Sequence, residues 1–468
     1  MKKTLMVSIS GIRGIFGQGL DPAVIVKYAS AYGTWCRRRA EAGGREPVVI
    51  VGRDARVTGE ICAGIVVPTL QSTGCHVVDA GLAATPTVEM AVLEEGAAGG
   101  VMLSASHNPA EWNALKLFDE RGEFLGPGEA GEVIRMADEG DVEYVRYDAT
   151  GSYRRRDYLE HHIDRILALD FIDAARIRAR DFKVVVDGID SVGGVAIPAL
   201  LRRLGVRDEN IVCLHCEPTG RFSHVAEPLP ENLTGLTARV AEAQADLGIA
   251  VDPDADRLAL VEDGGRYLSE ELTQVVAADF LWRFRPGPFV TNLSSSRAVE
   301  DVAARYGHEV HRAPVGEINV VRKMQEVGAV LGGEGNGGVI LPELHYGRDA
   351  LVGVAMVLQH LANEGKRLSE LRAELPAYTI SKQKIEIADQ QPDVLLAEIA
   401  ERYAGERVST EDGVKIDFEE GWVHLRKSNT EPIIRIYAEG RDEAAARRLA
   451  ERFMVELHTA ATASGEAG

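Results

Sequence analysis

A hydroxyl and an imidazole stand side by side in Ser104-Ala105-Ser106-His107-Asn108-Pro109, directly after the apolar, glycine-bearing run Gly99 to Leu103. That run reads as a short buried strand. The turn after it can present the Ser106 hydroxyl at a rigid edge, where it is available to react. Taken alone, the stretch is also the pattern of a turn with a local side-chain hydrogen bond. A second group of chemical residues follows the apolar strand Leu247 to Val251, in Asp252-Pro253-Asp254-Ala255-Asp256-Arg257. Carboxylates at alternate positions of a tight turn can converge on one hard cation, although an isolated acidic turn is usually just solvated. Oxygen-only ligands suit Mg²⁺, which keeps other positions for water or a phosphate oxygen. The loop lacks the later Gly and distal Glu of an EF-hand. Arg257 offers a partner to a phosphate or carboxylate.

Two further loops carry polar groups. In Gly332 to Gly338 the glycines free the backbone to approach a ligand, and Glu334 and Asn336 suit sugar hydroxyls. Arg426 to Pro432 combines Arg426 and Lys427 with Ser428, Asn429 and Thr430, and Arg435 follows in the next strand. That is the composition of a phosphate cradle. Cations also stand at Arg13, between Gly11 and Gly14, in the loop Gly52 to Arg56, and at Lys116 in the alternating strand Asn113 to Phe118. Lys116 hangs on one side of that strand, close to the Ser106 loop. Cys213-Leu214-His215-Cys216 has metal-site spacing but no second pair, and is read as two packed thiols. The glycine-rich helix start Ser191 to Gly194 could hold a phosphate on its free N–H groups, and is read instead as a packing contact.

The elements that must position these loops alternate. A helix starts at Asp21-Pro22 with the core stripe Val24, Tyr28, Tyr32, Trp35. Then come a strand at Pro47 to Val51, a helix at Gly59 to Thr73 and a strand at His76 to Asp79. This is α/β patterning. Tyr153 to Leu169 reads as a connecting helix, Lys183 to Val186 and the Cys213 region as strands, and Phe289 to Leu293 as a strand with Ser294 to Ser296 starting a helix. Ala350 to Leu361 reads as a buried helix. From about Ala377 a last segment has its own pattern: a strand near Lys384 to Ile387, a helix from Asp393 to Tyr403, two strands around the 426–432 loop, and a final helix capped by Asp442.

Size and charge bound the function. A chain of 468 residues exceeds one compact core, so about three or four domains are expected. A net charge of −20, from 72 acidic and 52 basic residues, argues against a nucleic-acid binder. An anionic substrate must therefore be drawn in by a local basic cluster. No apolar run approaches a membrane span, and five scattered cysteines suggest reduced thiols in a cytoplasmic protein.

In their order and spacing, the loops at Ser104–Pro109, Asp252–Arg257, Gly333–Gly338 and Arg426–Pro432 resemble those of the α-D-phosphohexomutase family, that of phosphoglucomutase, phosphomannomutase and phosphoglucosamine mutase. Gly11 to Gly14 and Gly52 to Arg56 match too, so the resemblance covers essentially the whole chain. It implies four domains around a central cleft, three α/β mixed-sheet domains (1–152, 153–261, 262–372) and a smaller C-terminal α+β domain (373–468). It implies an isomerase that moves a phosphoryl group between O6 and O1 of a hexose phosphate through a phosphoserine and a bisphosphorylated sugar. Ser106 would be the phosphoserine, and with Asp252, Asp254 and Asp256 would hold Mg²⁺. His107 and Lys116 would line the transfer site, with Arg13 and Arg257 near the phosphoserine. Glu334 and Asn336 would read sugar hydroxyls, and Arg426, Ser428, Asn429, Thr430 and Arg435 would hold the phosphate not being transferred. The implied partners are hexose phosphates, with hexose 1,6-bisphosphate as activator, no nucleic acid and no membrane, and the implied state is a monomer or homodimer.

Departures from the family pattern are Pro253 in the metal loop, Gly338 where many members carry His, and Glu317 where some carry His. Gly338 is expected to leave space for a different group at C2 of the sugar. The Ser106 loop with Trp112-Asn113-Ala114-Leu115-Lys116 looks most like phosphoglucosamine mutases, which implies glucosamine 6-phosphate going to glucosamine 1-phosphate. The same mechanism on mannose or glucose phosphates is the alternative. A sugar phosphatase and a non-catalytic sugar-phosphate binder are less favoured, because Ser106, the three Asp residues and the 426–432 loop are all present. The three carboxylates should repel each other when no cation is bound, so removing one is expected to stabilise the metal-free chain slightly.

Overall fold

Alternating apolar runs place the Ser106 and Asp252 loops at the ends of buried strands, in a computed structural model that describes residues 4–386, 392–427 and 433–465. The chain divides into two units, Met1–Phe284 with Asn336–Arg372, and Arg285–Gly335 with Ala373–Gly468.

The first unit holds two mixed sheets. One is seven-stranded, in the order Met6–Ser8, Gly11–Ile15, Trp112–Phe118, Gly99–Leu103, Val48–Arg53, His76–Leu82, Tyr153–Arg155. Gly99–Leu103, Val48–Arg53 and His76–Leu82 run parallel, while Trp112–Phe118 returns antiparallel beside Gly99–Leu103. Strands covered on both faces read as unbroken apolar runs, as Val48–Val51 does. One face packs on the helices Pro22–Ala42 and Gly59–Ser72 through Tyr32, Trp35, Val66 and Leu70, and the other on Thr85–Glu95 through Val88 and Val92. The first helix is capped as its sequence indicates, Asp21 accepting from the Val24 N–H with Pro22 at the first position. Tyr153–Leu169 differs from the expected single helix. Tyr153–Arg155 satisfies its backbone groups on the open edge of His76–Leu82, and the helix spans only Leu159–Leu167.

The second sheet runs Tyr267–Leu268, Leu258–Glu262, Leu247–Val251, Val184–Asp187, Ile211–Leu214. Leu247–Val251 pairs antiparallel with Leu258–Glu262, Val251 opposite Leu258, which leaves 252–257 as the connecting turn at the strand end. The glycine-rich helix start is a packing contact as read. A Cβ on Gly193 would lie 2.1 Å from Val251 Cγ2, and one on Gly194 2.4 Å from Cys216 Cα. The helix Ala350–Glu364, capped by Asp349 on the N–H groups of Leu351 and Val352, is buried over most of its length.

The second unit holds parallel strands Val310–Ala313, Phe289–Asn292 and Leu331–Glu334 with helices Ala298–Tyr306 and Glu317–Val327. It also holds an antiparallel sheet in the order Thr379–Glu386, Ile433–Gly440, Trp422–Lys427, Val414–Asp417, Arg407–Ser409. Helices Pro392–Arg402 and Glu443–Gly465 cover that sheet over a core of Ile399, Val423, Ile434 and Phe453. Ser294 to Ser296 precede their helix rather than start it. Asn292 Oδ1 draws in the Ser294 N–H and the Ser295 hydroxyl, forming a turn before Ala298. The stretch 262–372 contributes to both units. Ser428, Asn429 and Thr430 lie outside the described residues.

Candidate active site

Ser106 sits in the turn after Gly99–Leu103 with a left-handed backbone, φ 49°, which is uncommon for a residue with a side chain. The turn is held from below. All five N–H donors of Arg56 are used: Nε to Asp54 Oδ2 (3.0 Å), Nη1 to the carbonyls of Pro109 (2.6 Å) and Trp112 (3.1 Å), Nη2 to those of Ser106 and Asn108 (2.7 Å). The Ser106 N–H donates to Ser104 Oγ, and Arg13 Nη1 donates to Asn108 Oδ1 at 2.8 Å. Arg56 and Asp54 have no assigned role from sequence, although the pair of guanidiniums in Gly52–Arg56 stands out. Their spacing is that of a local ion pair, and the carbonyls they serve are distant in the chain.

Ser106 Oγ donates to Asp252 Oδ2 at 2.6 Å, so the hydroxyl loop and the acidic loop meet. Asp252 Oδ1 accepts from the N–H groups of Asp256 and Arg257, both at 3.1 Å, which folds the turn around its first carboxylate. Asp254 Oδ2 accepts from Thr85 Oγ1 and Lys116 Nζ, and Lys116 Nζ lies 3.5 Å from Asp256 Oδ2. Arg348 Nη2 donates to Asp256 Oδ2 at 2.7 Å. One oxygen of each of Asp252, Asp254 and Asp256 lies within 4.8 Å of the others. Asp254 Oδ1 and Asp256 Oδ1 are buried without a hydrogen-bond partner. Orphaned carboxylate oxygens converging beside a hydroxyl fit a hard divalent cation.

Burial, with the charges of Asp256 and Asp254, raises Asp252 well above the usual carboxylate range. Burial would raise Asp256 too, but Arg348, Lys116 and Arg257 outweigh it and hold that carboxylate low. Lys116 is fully buried, which alone would lower it. Asp254 and Asp256 reverse the effect and keep it a cation. His107, with Nδ1 3.4 Å from Ser106 Oγ, is pushed down to about 2 by burial and by Arg257 and Arg13, so it is neutral. Arg257 Nε stands 4.0 Å from Asp252 Oδ2 and from Asp256 Oδ1. Ser106, His107, Lys116, Arg13, Arg257 and the three Asp residues therefore converge within the first unit.

The glycine-rich loop divides between the units, Glu334 falling in the second and Asn336 in the first. In the first, Gly337 has φ 90° and lies so close to Leu258 that a Cβ would meet its carbonyl oxygen at 2.4 Å. Only glycine fits there, and the contact ties this loop to the strand leaving the acidic turn. The space expected at Gly338 is filled. A Cβ there would lie 2.4 Å from Arg348 Cδ, because the stem of Arg348 crosses it on the way to Asp256. In the second unit Glu334 Oε1 accepts from Asn292 Nδ2 (2.9 Å) and the Gly316 N–H (3.2 Å). The adjacent Val315 N–H donates to Asp412 Oδ2 at 2.9 Å, and the same oxygen pairs with Arg426 Nε at 2.8 Å. Arg435 lies directly across the strand pair from Arg426. His424, pushed down to about 4 by burial, accepts from Ser294 Oγ and donates to the Asp412 carbonyl. His424 and Asp412 carry no motif that the sequence alone would single out.

A hydroxyl against a carboxylate turn, ringed by arginines and a lysine on an α/β frame, is an arrangement with the chemistry that phosphoryl transfer needs. Comparison with known proteins gives the family. The models for phosphoglucomutase/phosphomannomutase alpha/beta/alpha domains I, II and III match residues 5–143, 158–265 and 269–378, and that for the C-terminal domain matches 383–455. A phosphoglucomutase/phosphomannomutase of Thermococcus kodakarensis is 36% identical over 445 residues, 94% of this chain and 96% of that one. A probable phosphoglucosamine mutase of Methanopyrus kandleri is 36% identical over 450 residues, 95% of this chain and 96% of the relative. The crystal structure of a phosphoglucomutase/phosphomannomutase family protein from Burkholderia thailandensis superposes with a TM-score of 0.83 at 26% identity, covering 97% of this chain and 98% of that one. The chain belongs to the phosphoglucomutase/phosphomannomutase family, the α-D-phosphohexomutases, and is an isomerase of that kind. Among the described residues no helix is long and apolar enough to cross a membrane.

Proposed function

We propose that this phosphohexomutase works through a phosphoryl group on Ser106 and interconverts glucosamine 6-phosphate and glucosamine 1-phosphate. The observation that carries the first part is the 2.6 Å contact of Ser106 Oγ with Asp252, beside the oxygens of Asp254 and Asp256 that have no hydrogen-bond partner. Asp252, Asp254 and Asp256 would hold Mg²⁺, together with an oxygen of the Ser106 phosphate. Bound there, the ion neutralises charge that develops on the transferring group.

The chain's own residues supply the rest. Arg56 fixes the Ser106 loop, so Oγ is delivered in one geometry. Arg13, Arg257 and Lys116 offer cationic donors to phosphoryl oxygens. The sugar hydroxyl that attacks loses a proton as Ser106 Oγ gains one, and His107, 3.4 Å from Oγ, and Lys116 line the site to assist that movement or to stabilise charge. The Ser106–phosphorus bond breaks as the sugar oxygen–phosphorus bond forms, giving a hexose 1,6-bisphosphate. After that molecule turns, its other phosphoryl returns to Ser106 and the freed sugar oxygen regains a proton. Free hexose 1,6-bisphosphate would charge a Ser106 that has lost its phosphate. Glu334 and Asn336 read sugar hydroxyls in this scheme, and Arg426, Ser428, Asn429, Thr430 and Arg435 hold the phosphate at rest. The domains are drawn at 1–152, 153–261, 262–372 and 373–468.

The choice of glucosamine rests on the Ser106-loop pattern and on the name of the Methanopyrus kandleri relative. The Thermococcus kodakarensis relative supports mannose and glucose phosphates as the second reading. A coupled assay with hexose 1,6-bisphosphate decides. Glucosamine 6-phosphate should show a kcat/KM about tenfold or more above mannose 1-phosphate and glucose 1-phosphate, the worth of one good contact. The reverse order would leave the mutase chemistry in place and change the substrate.

A further inference from the structure

The loops that leave the second sheet bring Asp187, His215 and His224 together, a group that shares no residue with the acidic turn. Asp187 ends the strand Val184–Asp187, and His215 directly follows the neighbouring parallel strand, whose Leu214 is the register partner of Asp187. His224 returns along the next loop. One ligand atom of each residue lies within 4.8 Å of the others. We propose that these three side chains form a second cation site, selective for a divalent transition metal such as Zn²⁺ and distinct from the Asp252–Asp256 turn.

The donor logic of His224 supports this. Its Nδ1 lies 2.9 Å from the Val225 carbonyl oxygen, which can only accept, so Nδ1 carries a hydrogen. Nε2 is thereby aimed at Asp187 Oδ2, 3.0 Å away. A nitrogen lone pair and a carboxylate oxygen at that distance need a cation between them, a proton or a metal. Two ligands about 2.0–2.1 Å from a tetrahedral zinc stand about 3.3 Å apart, so little movement is required. A carbonyl on the far ring nitrogen is also how metal-ligating histidines are commonly oriented.

His215 is the third donor. Its ring makes no hydrogen bond with any described residue and meets the His224 ring edge-on at 5.5 Å between centroids. Its backbone is left-handed, φ 49°, as are those of Ile189 and Asp190 beside it, φ 47° and 51°. The surroundings hold this conformation. The Asp190 N–H donates to the His215 carbonyl at 2.6 Å, and Asp190 accepts from the N–H groups of Gly220 and Ser223. These bonds within the protein hold the two loops in place. Both histidines are half-buried, which leaves an ion a path in. The Cys216 thiol points away, toward the carbonyls of Leu214 and Val186.

Two imidazoles and one carboxylate suit borderline metals, whereas Mg²⁺ prefers oxygen alone, so the two sites sort their ions by chemistry. The consequence reaches the phosphoryl-transfer loop. Phe222, between the ligands His215 and His224, lies 5.0 Å under the guanidinium of Arg56. An ion here would pin the segment that supports Arg56.

The test uses the full chain, stripped of metal and then equilibrated with Zn²⁺ in excess Mg²⁺. One zinc per chain should be retained after desalting. Asp254→Asn should retain it too, while His215→Asn and His224→Gln should lose it. Asn suits the left-handed backbone at 215, and matching melting curves for the two histidine variants, with a single cooperative melt for Asp254→Asn, establish that each variant is folded. Co²⁺ gives a second readout, a visible absorption band present in the wild type and absent in His215→Asn. No zinc on the wild type, unchanged zinc on both histidine variants, or zinc lost with Asp254→Asn would each overturn the proposal.

Discussion

Ser106 Oγ donates a 2.6 Å hydrogen bond to Asp252 Oδ2, joining residues 146 positions apart in the chain. Asp252 also gathers the N–H groups of Asp256 and Arg257 on its other oxygen. Asp252→Asn can keep those two backbone bonds through its amide oxygen, but it presents an NH₂ group to Ser106 and one anion fewer to a cation. The expected outcome is a folded protein with kcat lowered by about 10³, as when a charge-stabilising group is removed from a transfer site. Steady-state kinetics with a Mg²⁺ titration, alongside a thermal melt, checks it.

Asp254 and Lys116 bear on the metal-free chain. The three carboxylates do not simply repel, because the buried Lys116 ammonium sits between Asp254 and Asp256. The small gain in stability expected from sequence on losing one carboxylate is therefore reversed. Asp254→Asn leaves a buried cation short of a partner and should cost on the order of 3 kcal/mol in metal-free buffer. Denaturant unfolding in EDTA measures it, and a more stable variant would refute it.

Arg56 uses a planar fork of five donors to serve four carbonyls and one carboxylate. Lysine is a point charge with three donors and cannot replace it. Arg56→Lys should lower kcat by about ten- to a hundredfold with KM little changed, because the loop that presents Oγ loses its geometry and not its substrate contacts. A purely structural role would instead lower the melting temperature and leave kcat per folded molecule intact.

The clustering of polar groups at Ser106 and in the acidic turn was legible because each cluster lies within a few residues of sequence at the end of an apolar strand. What joins them was not. That Ser106 meets the acidic turn is an expectation from the family resemblance alone, while Arg348 reaching Asp256 and Thr85 reaching Asp254 are contacts set by tertiary packing, and nothing local marks Arg348 or Thr85. Gly338 shows the same limit in reverse. A missing side chain reads as space, but the stem of Arg348 fills it. Tyr153–Arg155 became a strand because a sheet edge was open beside it, a fact invisible in its own polar sequence.

A buried knot in the first unit gives the chain a pH dependence. His345 Nδ1 lies 3.1 Å from Glu89 Oε2, and its Nε2 lies 3.2 Å from Asp349 Oδ2, which His162 also contacts at 2.9 Å. Burial alone would lower His345, but Asp349 and Glu89 outweigh it and hold the imidazole up at about 10. An unfolded histidine titrates near 6.5. The stabilisation is thus full below about pH 6.5 and is lost as pH rises toward 10, an effect on the order of a few kcal/mol. The melting temperature should fall between pH 7 and 10 in the wild type. His345→Gln should start lower at pH 7 and be flatter over the same window. Parallel curves would refute the role.

The site of phosphorylation is the most direct test of the whole scheme. The full chain is incubated with glucose 1,6-bisphosphate and Mg²⁺, digested, and its peptides read by mass spectrometry. A single phosphate on the peptide containing Ser106, with Ser106→Ala both unlabelled and inactive, is the expected result. Phosphate on another residue of the active protein, or a Ser106→Ala variant that still interconverts hexose phosphates, would contradict it.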